Sequence, residues 1–80
     1  MNNHNKLIWQ LSGRDALKIA EHHLIHLTEY MKSNDIVVID KGIELISEFS
    51  ATSFVIIDKS FVEKVRVDLK PNKVFLLNSI

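Results

Sequence analysis

Residues 62–70 read VEKVRVDLK, and the way this stretch is read decides what kind of fold the chain can build. Val65, Val67 and Leu69 alternate with Lys64, Arg66, Asp68 and Lys70. A period of two is the signature of a strand with one buried and one wet face. The spacing therefore predicts a strand over 62–69 that turns its valines inward and a charged row outward.

Working outward, the neighbouring segments carry the same period. IVVIDKG (36–42) is echoed 18 residues later by FVIIDKS (54–60), and VFLLNSI (74–80) closes the chain as a fainter copy. Each is an apolar run ending in Asp or Asn, residues that favour turns. Asp40-Lys41-Gly42 suits a three-residue hairpin loop, with Gly42 at positive φ. These signals predict an antiparallel meander of about five short strands, at 36–40, 43–49, 54–58, 62–69 and 73–78.

Towards the N-terminus the pattern changes. KLIWQLS (6–12) alternates Leu7, Trp9 and Leu11 against mostly polar neighbours and reads as a first strand. Ser12 and Asp15 then stand in capping-box spacing. From Gly13 to about Lys32, Leu17, Ala20, Leu24, Leu27 and Met31 recur at intervals of three and four. That is a long amphipathic helix of about 30 Å, with Asn34 expected as its left-handed terminal residue. The fold class is therefore α+β in a single small domain, 1–80: one strand, one long helix, then the meander. The expected core is Trp9, Leu17, Leu24, Leu27, Met31, Val38, Leu45, Ile56, Val65, Val67 and Phe75.

Composition narrows the function. Ten basic and ten acidic residues cancel. They cancel within each part of the chain too, four against four in 1–35 and six against six in 36–80. A generic polyanion binder would carry a basic excess. There is no cysteine, so disulfides and thiolate metal sites are excluded. No apolar run approaches a membrane span, and MNNHNK lacks the character of a signal peptide, so a cytoplasmic location is expected.

Candidate chemistry is sparse. In EHHLIH (21–26), His22 and His26 stand one helical turn apart with Glu29 a turn further on. That face could hold zinc, copper or nickel. Two histidines and one carboxylate do not close a structural site, however, and a solvated polar face is the preferred reading; no cofactor is expected. The histidines could also make the chain cationic as pH falls. The strand-to-helix turn QLSGRD could bind an anion through Arg14, although helix capping accounts for it. Asp40 and Asp58 share an Ile-Asp-Lys setting but suit turns equally well. No serine or cysteine nucleophile has a sequence-evident base, so an enzyme is not expected.

Charge on the expected strands is more informative. Asp35 to Glu48 holds four acidic residues against one basic, and Lys59 to Lys73 holds five basic against two acidic. Glu44, Ile46 and Glu48 form one outward row, and Lys64, Arg66 and Lys70 belong to the other. These six are the candidate partner-binding residues, either bridging within one sheet or meeting across two chains.

A helix followed by five short strands, with DKG between the first two, is similar in outline to Sm-like RNA-binding proteins over residues 14–79. That resemblance implies an oligomer that binds nucleic acid, here through the basic strip 59–73. LISEF lacks the glycine those proteins carry in the second strand, and no functional residues carry over. The leading expectation is a non-enzymatic protein–protein interaction module, such as a small inhibitor, antitoxin, immunity protein or phage-type regulator. Runs apolar on both sides imply that one helix cannot cover every strand. Either the sheet closes into a small barrel, or its uncovered face meets another chain, most simply as a homodimer.

Overall fold

The computed structural model describes residues 3–78. Ser79 and Ile80 of the third apolar copy, like Met1 and Asn2, lie outside them. In chain order the elements are β1 (Asn3–Ser12), α1 (Ala16–Ser33), β2 (Val38–Ser47), β3 (Ser50–Asp58), a 3₁₀ turn (Lys59–Phe61), α2 (Val62–Leu69) and β4 (Lys73–Asn78). The class is α+β, and the sheet is antiparallel throughout, in the order β2-β3-β1-β4. It is not a closed barrel. Only β2 and β3 follow one another as a meander requires; the helical connections bring β1 and β4 together. This β-α-β-β-α-β connectivity is the split βαβ, or ferredoxin-like, arrangement.

VEKVRVDLK is not a strand. Its first eight residues form α2, and both periods fit them: Val62, Val65 and Leu69 share a helical face as well as Val65, Val67 and Leu69 share a strand face. Helix wins because it also pairs the charges locally. Arg66 Nη2 lies 2.9 Å from Glu63 Oε1, and Lys64 Nζ lies 3.5 Å from Asp68 Oδ2. Asp58 starts the preceding turn by accepting from the Ser60 amide at 2.9 Å. Val65 is buried, while Val67 is 61% exposed. Lys70 ends the helix in the left-handed conformation, φ 48°, just before Pro71.

The two expected strands 36–40 and 43–49 are one. Gly42 sits in mid-strand opposite Phe54, and its φ is not positive. A Cβ built there would stand 2.8 Å from Phe54 Cε2, so the missing side chain admits the phenyl ring. The turn lies instead at Glu48-Phe49, between paired Ser47 and Ser50.

Helix α1 packs across β1, β2 and β3, but its inward face is rotated from the expected stripe. Ala16, Ala20, Leu27 and Met31 are buried and Leu17 is exposed. The small side chains of Ala16 and Ala20 meet Ala51 on β3 and let the helix approach closely. The helix starts after Asp15, with no side-chain cap, so the Ser12–Asp15 capping box does not form. At the other end Asp35, not Asn34, takes positive φ, 55°. The Ile36 amide reaches Met31 O at 2.8 Å and the Asp35 amide reaches Lys32 O at 3.3 Å, the paired bonds of a Schellman ending.

The main core joins Leu7, Trp9, Leu27, Met31, Ile36, Val55, Ile57 and Val65 between the sheet and the two helices. Trp9 Nε1 donates to Leu69 O at 2.8 Å, and Tyr30 Oη donates to Asp68 at 2.6 Å, so β1 and α1 both hold α2. Leu45, Val67 and Phe75, expected inside, are exposed, and Ile56 is half-buried. Among the described residues no helix is long and apolar enough to cross a membrane.

Candidate binding surface

With both helices on one side, the sheet has a bare face. Alternation along β1 turns Leu7, Trp9 and Leu11 to the helices and His4, Lys6, Ile8 and Gln10 away from them. The register then assigns the rest. Asp40, Ile56, Lys6 and Phe75 form one row across β2, β3, β1 and β4, and Gly42, Phe54, Ile8 and Lys73 form the next. Glu44, Thr52 and Gln10 form a third. All of these but Asp40, Gly42 and Ile56 line, together with Ile46 and Asn72, a shallow cleft of about 340 Å³.

The floor is partly ordered by Lys6. Its Nζ lies 4.3 Å from the centre of the Phe54 ring and 3.4 Å from Glu44 Oε1, reaching across β3 to do so. Phe54 is thereby clamped between a cation and the bare backbone of Gly42. At the rim, Asn72 accepts from the Gln10 amide at 2.8 Å. Ile46 and Phe75 are well exposed. The face thus combines apolar side chains with a few charges.

Of the partner-binding residues expected from sequence, Glu44 and Ile46 belong to this face. Glu48 falls in the β2–β3 turn. Lys64 and Arg66 lie on α2, on the opposite side of the sheet and paired within their own helix, and Lys70 ends that helix. The acidic and basic rows therefore never share one surface, because the basic row is not on a strand. The strip 59–73 is likewise no continuous basic track. Lys6 and Phe54 were missing from the sequence reading of the site, Lys73 entered it only as the end of the basic strip 59–73, and Phe75 was placed in the core. The alternation of Lys6, Ile8 and Gln10 against Leu7, Trp9 and Leu11 was the signal that could have found the first of them.

The histidines divide. His22 and His26 stay on the exposed side of α1, with their Nε2 atoms 2.9 Å apart and His26 Nδ1 4.0 Å from Glu29. No group of three metal-binding side chains comes together among the described residues. His23 turns inward, its ring centre 5.6 Å from that of Trp9, and its Nδ1 lies 2.7 Å from Ser53 Oγ. A serine does therefore meet a histidine, unlike the expectation. Ser53 is fully buried, and the pair forms a polar tie between helix and sheet. Burial pushes the His23 imidazole below its usual pKa, and nearby His26 adds to this.

The remaining candidates stay apart. Asp58 accepts from both the amide and the hydroxyl of Ser60, which lowers its pKa, while Asp40 accepts from the Lys41 amide. At QLSGRD the Gly13 amide is taken by Phe49 O at 2.9 Å, which removes a donor from any anion site. Comparison of the chain with protein-family models, curated proteins and solved structures finds no match.

Proposed function

We propose that this chain is a non-enzymatic binding module whose working surface is the bare face of the sheet and whose partner is a protein. The observation that carries this reading is the composition of that face. Ile8, Ile46, Phe54, Ile56 and Phe75 are gathered on the one side that neither helix covers. Burying apolar surface contributes roughly 25 cal/mol per Å², so leaving these side chains in water is a cost that a partner removes. An inhibitor, antitoxin, immunity or phage-type regulatory role is the class this supports, acting by occlusion and not by chemistry. A cytoplasmic setting belongs to the same proposal.

The test is site-specific photo-crosslinking in cells, with the reactive residue placed at Ile46 or Phe75 and, as a control, at Val67 on α2. Protein adducts formed from the two sheet positions and not from Val67 support the reading. Adducts formed only from Val67 overturn it.

A second reading rests on two phenylalanines and two lysines on one sheet face, Phe54, Phe75, Lys6 and Lys73. Aromatic side chains of this kind stack single-stranded bases. Salt-sensitive binding of single-stranded RNA, lost on Phe54→Ala, would favour it. The carboxylates of Asp40 and Glu44 on the same face weigh against it, and a protein partner remains the better account.

A further inference from the structure

The charges on the bare face are not scattered. They divide it lengthwise. Among the described residues β2 and β3 contribute the carboxylates Asp40, Glu44 and Asp58 to it, and β1 and β4 contribute the cations Lys6 and Lys73. Lys6 folds over Phe54 onto Glu44 of its own chain, so the basic side rests on Lys73 at β4 and the acidic side on Asp40 and Glu44 at β2. A surface that is acidic along one side and basic along the other is complementary to itself once it is turned over.

We propose that the occupant of this face is a second copy of the chain, docked sheet to sheet about a twofold axis running nearly along the strands between β1 and β3. This rests on the reading of the bare face as the binding surface and names its partner. Charge selects the axis. A twofold axis across the strands would lay β2 on the partner's β2, acid on acid. An axis along them lays β2 on the partner's β4 and β3 on the partner's β1, so Lys73 meets the partner's acidic β2 edge and the contact occurs twice.

The register makes the match specific. The row Gly42–Phe54–Ile8–Lys73 overlies its own reverse. Phe54 of one protomer meets Ile8 of its partner at the centre. Lys73 comes down over the partner's Gly42, the one position of that row with no side chain, between the partner's Asp40 and the partner's Glu44. In the Asp40–Ile56–Lys6–Phe75 row the partner's Phe75 lies over Asp40 and the aliphatic stem of the partner's Lys6 over Ile56. Two sheets pack about 10 Å apart in this aligned arrangement, with mean strand directions crossing at about 30°. Four strands at ~4.8 Å spacing and roughly 25 Å of strand give about 500 Å² of flat area on each copy. Side-chain relief raises the total buried to roughly 1,200 Å², the lower end of stable interfaces. The near-zero net charge of the chain puts no repulsion in the way.

Light scattering coupled to size exclusion at about 50 µM, a concentration that a micromolar dimer survives, tests the proposal on the full chain. The expected mass is twice 9.2 kDa. Lys73→Glu places like charges at both symmetric contacts and should weaken the dimer about tenfold at each, roughly a hundredfold in all. The double variant Asp40→Lys, Glu44→Lys should do the same. Mixing the two variants restores opposite charges at both contacts, and a heterodimer should form at wild-type affinity. Thermal melts of each variant, read by circular dichroism, separate lost association from lost folding. A well-folded wild-type monomer overturns the second-copy inference and leaves the binding-face reading to its own crosslinking test. A dimer indifferent to the charge swaps, or variants that fail to rescue one another, overturns the geometry.

Discussion

Val65 and Val67 decide between the two conformations open to residues 62–70. As a strand, both valines face the core and truncating either should cost the same. As the helix α2, Val65 is completely buried and Val67 is 61% exposed. Val65→Ala removes two methyl groups from the core, about 1.6 kcal/mol of transfer free energy at ~0.8 each. A residual cavity of about 40 Å³ adds roughly 1 kcal/mol, and the better helix propensity of alanine returns about 0.5 kcal/mol. The net loss is about 2 kcal/mol. Val67→Ala gives up little burial and gains the same propensity, so its effect is zero to slightly stabilising. One kcal/mol moves the melting temperature of a domain this size by roughly 4–8 °C. Thermal denaturation followed by circular dichroism should therefore show a fall of about 8–16 °C for Val65→Ala and none for Val67→Ala. Equal falls would falsify the helix and restore the strand.

Four further outcomes follow. Burial lowers the His23 pKa in the folded chain, so the unfolded state binds the proton more readily. Its contribution to stability is fully present above the unfolded value of 6.5 and is lost as pH falls below it. Melts from about pH 8 to 5 should show that loss, and His23→Leu should flatten it. Gly42→Ala drives a methyl group against the Phe54 ring, 2.8 Å from Cε2. It should destabilise the chain by about 1 kcal/mol in urea titrations. The buried Oδ1 of Asn5 has no hydrogen-bond partner among the described residues, so Asn5→Leu should raise stability by about 1 kcal/mol, read as a higher urea midpoint at constant slope. EDTA should leave the melting temperature where it was, because His22, His26 and Glu29 do not enclose a cation. A marked drop with the chelator would contradict that reading.

The elements legible in the sequence were those whose periodicity admits one interpretation. Eighteen residues of three-and-four spacing are a helix and nothing else, and Leu7, Trp9 and Leu11 mark a strand with one buried face. Eight residues are too few for that discrimination, which is why α2 read as a strand. The better signals were Asp58 two residues before Ser60 and the Glu63–Arg66 and Lys64–Asp68 spacings, which only a helix brings together. Gly42 misled for a different reason. A glycine opens a tight turn or admits a neighbouring side chain, and the choice depends on Phe54, twelve residues away and across a strand pair. The bare face was legible only as far as Glu44 and Ile46. Alternation along β1 marked Lys6, but Lys73 and Phe75 join the face through pairing with β1 from the opposite end of the chain, and local pattern carries no record of that.

Those end-to-end pairings bear on how the chain reaches its native state. β1 precedes both of its sheet neighbours and occupies the middle of the sheet, yet one neighbour begins at Ser50 and the other at Lys73. Leu7 and Trp9 therefore wait for their strand partners, and α1 is the next described element that can shelter them. Closing Lys6 onto Phe75 spans nearly the whole chain, and loop-closure entropy must be met before that contact gives anything back. Folding should accordingly be slow for so small a domain, in the millisecond range expected of non-local topologies. β4, held by β1 on one side alone, should be the last strand to dock and the first to exchange its amide protons.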